Sequence, residues 1–464
     1  MNRYIFNTQK AKQKLILASM LWIAMISVFL YCLFVFIGFF PIPSTLEISW
    51  ISVGICIVCL YILKQNKKIA TFGLTSVLLI YTIFTQFGLG TIYYILGPEH
   101  VINYSDYTLR FLFSNQYVQA VILGLIAIMT YTIASSLGTI GEGSIAKRLS
   151  NSKKDDSNLE AKYAVWIGYL LLIIVLFYLL FQIAIGKISF SMGYSSFREK
   201  IVDASNIYHY ILIIYSVGIA YIISAGNKRE MKLGIILYSC SAIIFFLTGN
   251  KGEVLYATLA CIGASQYRGF KIKPSLILFI SFILFIFIPL VTGARENGVL
   301  GSIDKIGFSL TDAFVEIGMQ LRLNVYILEQ FVSGSREFID GFSYFNPLVN
   351  IIDRFVPFFN LRLTPPAGFN FNEIFPGYGF NQVAESYVNF GLIGVLTFFF
   401  IMGFTISKIE SRKMSLLTLA YFTSIVSTLI NVTRNSFAFV PGQILMLTIL
   451  YVGLRLFTKR KVKA

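Results

Sequence analysis

Long apolar runs dominate this chain and restrict its fold more than any other feature. A helix that crosses a bilayer needs about 20 predominantly apolar residues. Only 13% of the residues are charged, against about 25% in soluble proteins, so an aqueous fold would expose too much apolar surface. We therefore predict an all-α polytopic membrane protein with twelve spans, near residues 15–40, 46–63, 70–96, 116–140, 163–185, 207–225, 233–248, 254–265, 275–292, 385–407, 415–432 and 437–457.

The distribution of charge predicts how these spans are oriented. If the N-terminus lies in the cytoplasm, the inside segments hold 25 of the 38 Lys and Arg but only 6 of the 22 Asp and Glu. This asymmetry follows the positive-inside rule and predicts a bacterial inner-membrane protein with both termini in the cytoplasm. The net charge of +16 is therefore explained by topology, and nucleic acid is not an expected partner.

One long segment interrupts the pattern of spans and short loops. We predict transmembrane helices in 1–292, a large extracytoplasmic loop in 293–384, and further transmembrane helices with a basic tail in 385–464. The first part of the loop is typical of an amphipathic helix that lies along the membrane or caps a cavity. Its apolar positions are Ile303, Ile306, Leu310, Phe314, Ile317, Leu321, Val325 and Leu328.

The remainder of the loop has a different composition. The segment 338–380 contains five prolines and twelve Phe or Tyr residues. Proline at this density disfavours regular secondary structure. The aromatic side chains are suited either to anchoring at the membrane interface or to stacking against sugar rings.

The junction between the seventh and eighth spans is the most informative local feature. The two spans, 233–248 and 254–265, are shorter than a full crossing. The junction Gly-Asn-Lys-Gly-Glu at 249–253 is therefore expected to stop short of the outer surface. Charged side chains at that depth are costly unless they line a wet cavity or bind a partner.

Charged residues near the outer ends of helices are the candidate functional groups. Guanidinium groups bind phosphate through a planar fork, and a lipid diphosphate is the anion expected at this depth. The candidates are Arg198, Lys251, Glu253, Arg295, Arg322, Glu385 and Arg434.

Cysteine and histidine carry no comparable signal. All five cysteines fall inside predicted spans, where the pair Cys56 and Cys59 is interpreted as packing residues. His100 and His209 lie near no cluster of carboxylates or thiols. We expect neither a metal site nor a cofactor.

Three segments resemble those of a known family. The stretch ESYVNFGLIG at 385–394 resembles the aEayxNFGxxG pattern that opens a late span in Wzy-type oligosaccharide repeat-unit polymerases, the polymerases of O-antigen and related polysaccharides. The junction 249–253 resembles that family's GxRg turn, although Lys251 stands where an arginine is common. The segment 433–436 resembles its late arginine turn.

The resemblance implies a glycosyltransferase that joins undecaprenyl-diphosphate-linked repeat units on the outer face of the membrane. It implies that the arginines at 295, 322 and 434 stabilise the departing diphosphate and that Glu385, or else Glu253, accepts the proton of the acceptor hydroxyl. Substrate binding is expected at Arg198, Lys251, Glu253, Tyr387 and Asn389. A chain-length regulator and a flippase are the implied protein partners.

Two other functions share much of this architecture. A flippase for lipid-linked oligosaccharides also has about twelve spans, but no acidic residue lies in the middle of an apolar run. An O-antigen ligase usually has a catalytic histidine on the outer side, and the large loop has no histidine. Both functions stay open as alternatives to a polymerase.

Overall fold

The protein is a bundle of α-helices that fold from the apolar runs. The structure is a computed structural model that describes residues 2–66, 68–101, 109–141, 159–189, 194–203, 207–250, 252–270, 310–356, 363–366 and 380–463. Within these residues all regular secondary structure is helical. The first eight helices are α1 (Asn2–Ile37), α2 (Thr45–Gln65), α3 (Leu74–Thr91), α4 (Tyr117–Gly138), α5 (Leu159–Ala184), α6 (Ile207–Ala225), α7 (Lys228–Leu247) and α8 (Gly252–Tyr267).

The second half contributes six helices, three of them from the large loop. They are α9 (Leu310–Gly318), α10 (Leu321–Val332), α11 (Phe342–Phe355), α12 (Gln382–Glu410), α13 (Leu416–Val432) and α14 (Val440–Lys463). Shorter helical turns occur at Ile92–Leu96, Pro98–Val101, Arg110–Phe113, Tyr194–Phe197, Arg198–Val202 and Phe437–Phe439.

The expected fold class is confirmed, but the count of twelve spans is not. Nine helices of the described residues are long and apolar enough to cross a membrane, and α13 is a shorter apolar helix. The predicted span 254–265 corresponds to α8, which has only 16 residues. The predicted span 275–292 lies outside the described residues.

Helix α4 forms the centre of the bundle, because 83% of its most apolar window is buried. Its buried residues share one apolar core with residues of α1, α2, α3 and α12. A second core contains residues of α5, α6, α7 and α8, and a third contains residues of α5, α6, α13 and α14. All five cysteines are free, and four of them are buried, as expected for packing residues.

The amphipathic segment of the large loop forms two helices, α9 and α10, that pack into the bundle. The predicted apolar positions Leu321, Val325 and Leu328 are buried in the main core. The Nδ2 atom of Asn324 donates a hydrogen bond of 2.7 Å to Oε1 of Gln86 on α3, and both side chains are buried. These helices therefore line the interior of the bundle and do not lie flat on a membrane surface.

The expectation that 338–380 lacks regular structure is wrong for Phe342–Phe355, which form α11. Gly341 precedes this helix with φ of +82°, a conformation that glycine adopts without strain. The N-terminal turn is then held by polar contacts with α12, described below. Tertiary contacts have overridden a composition that disfavours helix.

Two glycines allow α9 to approach α3 closely. A Cβ atom on Gly318 would lie 2.2 Å from the backbone nitrogen of Leu89, and one on Gly88 would lie 2.9 Å from the carbonyl oxygen of Phe314. Both obstacles are backbone atoms, so they cannot rotate away. The position of α9 beside α3 therefore depends on glycine.

We expect Gly318→Ala to destabilise the protein by about 1–3 kcal/mol, the usual cost of overpacking a close contact. The midpoint of thermal unfolding in detergent measures this effect. Gly453→Ala on α14 is the control, because a Cβ atom there meets nothing within 4 Å. Equal midpoints for the two variants would contradict the close approach of α9 and α3.

Candidate functional site

Arg434 occupies a turn between α13 and the short helix Phe437–Phe439. Its Nη2 atom lies 4.0 Å from Oε1 of Glu316 on α9. The two side chains are 22% and 12% exposed, respectively. The arginine is therefore largely enclosed, but part of its surface stays open.

Polar side chains from three helices surround this guanidinium. Tyr81 on α3 lies beside Arg434 and beside Tyr256 on α8, and the two tyrosine rings meet edge to face at 5.7 Å. Burial alone would lower the pKa of the Arg434 guanidinium, but the net shift is upward. The groups that raise this pKa are Tyr256, Tyr81, Glu316 and Glu253. Arg434 is thus a permanent cation in a nearly closed polar cluster.

This cluster is recessed from the end of the bundle. The helical segment that begins with α3 ends at Leu96. Tyr81 lies 15 residues before this end, which is about 22 Å at 1.5 Å per residue. Tyr256 lies at the same level and follows the start of α8 at Gly252 by only four residues. This geometry agrees with a recessed junction at 249–253. Lys251 itself lies outside the described residues.

Glu385 connects the predicted motif to the arginine turn. Its side chain is fully buried in the first turn of α12, where Asn381 caps the helix. The Oε2 atom accepts a hydrogen bond of 2.8 Å from the backbone N–H of Phe437. This bond holds a residue three positions beyond Arg434, so it fixes where the arginine turn lies.

Ser386, the next residue, and Asn389, one turn further along α12, hold the N-terminus of α11. The Asn389 Nδ2 atom donates to the Ser343 hydroxyl at 2.7 Å, and its Oδ1 atom accepts from the Ser343 backbone N–H at 3.3 Å. The Ser386 and Tyr344 hydroxyls are 2.8 Å apart. The motif therefore fastens a helix of the large loop to the membrane bundle.

The two glycines of the motif produce a break in α12. Phe390 and Gly391 leave helical geometry, with φ of −143° and +61°. A Cβ atom on Gly394 would lie 2.2 Å from the carbonyl oxygen of Ser386, so the segments on either side of the break approach closely. The two glycines thus mark a kink in α12 that directly follows Asn389.

The other predicted site residues lie in different surroundings. Tyr387 packs edge to face on Phe36 and Phe331, at centroid distances of 5.9 and 5.4 Å. Arg322 is partly buried in the first turn of α10. Arg198 forms an ion pair of 3.4 Å with Asp203 on an exposed turn. Arg295, like Lys251, lies outside the described residues.

Of the candidates, the described residues place Glu253 close enough to Arg434 to influence its charge, and they link Glu385 to Arg434 through the turn that Glu385 anchors. Sequence reasoning missed Glu316, Tyr81 and Tyr256 as members of the site. Glu316 lies in the segment predicted to be an amphipathic helix, but nothing in the sequence showed that its side chain would face Arg434. The two tyrosines have no sequence signal. No group of three or more metal-ligating side chains occurs among the described residues.

Comparisons with known proteins agree with the resemblance of the motifs. The profile of the family described as O-antigen polysaccharide polymerase Wzy matches residues 20–463. Protein CapE of Staphylococcus aureus is 30% identical over 420 residues, which cover 90% of this chain and 91% of that protein. No solved structure matches the chain. The matched region includes the Arg434 cluster and the motif at 385–394.

Proposed function

The chain belongs to the Wzy family of O-antigen polysaccharide polymerases, and we propose that it is a glycosyltransferase acting on undecaprenyl-diphosphate-linked repeat units. The growing glycan leaves its lipid carrier and is joined to the non-reducing end of a new lipid-linked unit. The donor carries its own leaving group, so no sugar-nucleotide domain is needed.

The recessed Arg434 cluster is the observation that supports this proposal most. A guanidinium that is enclosed by polar groups and still 22% exposed suits an anion delivered from the bilayer. Low local polarity strengthens its attraction for the charge that develops on the departing diphosphate. Arg434 is therefore assigned to the leaving group.

The local charge balance indicates that further cations take part. Glu316 and Glu253 already offset the charge of Arg434, whereas a diphosphate is itself strongly anionic. Lys251 directly follows Asn250, whose buried Nδ2 atom has no hydrogen-bond partner among the described residues. We assign Lys251 and Arg295 to the same diphosphate and keep Arg322 and Arg198 as predicted substrate contacts.

The contacts between α11 and α12 suggest a second role for these helices, which is to form the part of the site that binds the acceptor sugar. Asn389 and Ser386 position α11, whose exposed Phe345 and Leu348 provide apolar surface near the site. Asn389 is thus a positioning residue in this proposal, and Tyr387 supports it from the aromatic cluster. A flippase and a chain-length regulator are the proposed protein partners.

The proposal requires the large loop to face the outside of the cytoplasmic membrane, with both termini inside. A cysteine at position 345, in a variant that lacks the five native cysteines, should react with an impermeant maleimide in intact cells, because Phe345 is 54% exposed. A cysteine introduced at Arg412, in an inside loop, is the control and should react only after lysis. The reverse pattern would overturn this orientation.

Deletion of the gene tests the function itself. Loss of the polymerase should leave single repeat units, on the carrier or transferred to the surface, and no ladder of longer chains on a gel. The gene supplied in trans should restore the ladder. Long chains that stay on the carrier would instead favour a ligase, and single units that stay on the cytoplasmic face would favour a flippase.

A further inference from the structure

Glu316 places a carboxylate, which can accept a proton, beside the arginine assigned to the leaving group. It approaches Arg434, the residue assigned to the leaving group, within 4.0 Å, and it retains 12% of its surface. Helix α9 carries it into the recess, and the contact of Gly318 with Leu89 fixes the height of α9 along α3. Glu316 is therefore held at the level of the diphosphate and not near the end of the bundle.

Glu385, the sequence-predicted base, is placed differently. It has no exposed surface, and its Oε2 atom accepts the hydrogen bond of Phe437. A general base must come within about 2.6–3.2 Å of the proton that it accepts. Substrate could reach Glu385 only if the turn that this residue holds were to move.

We propose that Glu316 is the general base of the polymerisation, an inference that rests on the proposed function. The acceptor hydroxyl oxygen forms a bond to the anomeric carbon of the donor sugar, and its proton passes to the Glu316 carboxylate. The bond between that carbon and the diphosphate oxygen breaks, and its electron pair leaves with undecaprenyl diphosphate. Arg434 stabilises the charge on this leaving group.

The same contact places the two roles side by side. The Glu316 carboxylate lies 4.0 Å from the Arg434 guanidinium, so a donor whose diphosphate meets Arg434 also brings its anomeric carbon towards Glu316.

The test uses the purified full-length protein and two measurements. Elongation is followed with lipid-linked repeat units extracted from the deletion strain, and binding is measured separately with undecaprenyl diphosphate alone. Glu316→Gln should lower kcat by about a hundredfold to ten-thousandfold, the usual contribution of a general base. Its affinity for undecaprenyl diphosphate should stay within about threefold of the wild type, since Arg434 remains.

Two further variants keep the result interpretable. Glu316→Asp retains a carboxylate on a shorter side chain and should recover part of the lost kcat. Glu329→Gln changes an exposed carboxylate on α10 and should leave kcat unchanged. Elongation by Glu316→Gln near the wild-type rate would overturn the role of Glu316 and leave the polymerase intact. A wild-type protein that neither elongates nor binds undecaprenyl diphosphate would instead overturn the proposed function.

Discussion

Replacement of Arg434 by alanine is expected to reduce elongation at least a hundredfold and to lower the amount of folded protein. The change removes charge-assisted contacts to the diphosphate that are worth about 1.5–3 kcal/mol each. It also removes the cation that pairs with Glu316 and that Glu253 influences. Loss of one partner from a buried ion pair typically costs about 3–5 kcal/mol, so stability should fall with activity.

Arg434→Lys separates these two effects. Lysine keeps the positive charge and should restore most of the protein level, but it lacks the planar fork that binds two phosphate oxygens. Elongation should therefore stay about tenfold below the wild type. Arg455→Ala, which removes an exposed arginine on α14, is the control and should match the wild type in both measurements.

The comparison is made by quantifying the protein in purified membranes and dividing the initial rate of elongation by that amount. A full recovery of the specific rate in Arg434→Lys would show that the fork is not needed. A normal specific rate in Arg434→Ala would remove Arg434 from the reaction and limit it to a structural ion pair.

Glu385→Ala should be almost as damaging as Arg434→Ala, for a different reason. It deletes the acceptor of the Phe437 N–H bond, which orients the turn that carries Arg434. A buried donor left without a partner costs about 1–3 kcal/mol, and a displaced arginine can no longer meet the diphosphate. We expect a loss of about a hundredfold in specific elongation rate.

Glu385→Gln distinguishes this positioning role from catalysis. The glutamine carbonyl can still accept the Phe437 N–H bond, so the turn should keep its place and elongation should stay within about tenfold of the wild type. Affinity for undecaprenyl diphosphate should fall in Glu385→Ala and persist in Glu385→Gln. If both variants are inactive while both still bind the diphosphate, Glu385 is the base and Glu316 is not.

The motif at 385–394 shows how far the sequence could be interpreted. Its residues were predicted to act on substrate, and the resemblance they carry led to the correct family. The described structure adds a local reason for three of these residues. Asn389 fastens α11, Gly391 adopts a positive φ, and Gly394 allows a close approach to Ser386. In these contacts the three residues position parts of the fold, and a sequence motif alone does not distinguish such a role from catalysis.

The large loop shows where sequence reasoning was insufficient. The period of its apolar residues predicted a helix but not the surface that this helix would cover. An amphipathic stripe can face lipid headgroups or a protein interior equally well. The fit of Gly318 against the backbone of α3 and the buried bond between Asn324 and Gln86 determine the second outcome.

The sequence by itself determined that the protein lies in a membrane and is helical, because apolar length and composition act locally along the chain. Its motifs also led to the family. The tertiary structure alone decided which charges meet. Glu253, Glu316 and Arg434 are far apart in the chain, and they come close only because α8, α9 and the turn after α13 pack together. A buried charge needs a partner at contact distance, and contact distance is a property of packing that no single segment encodes.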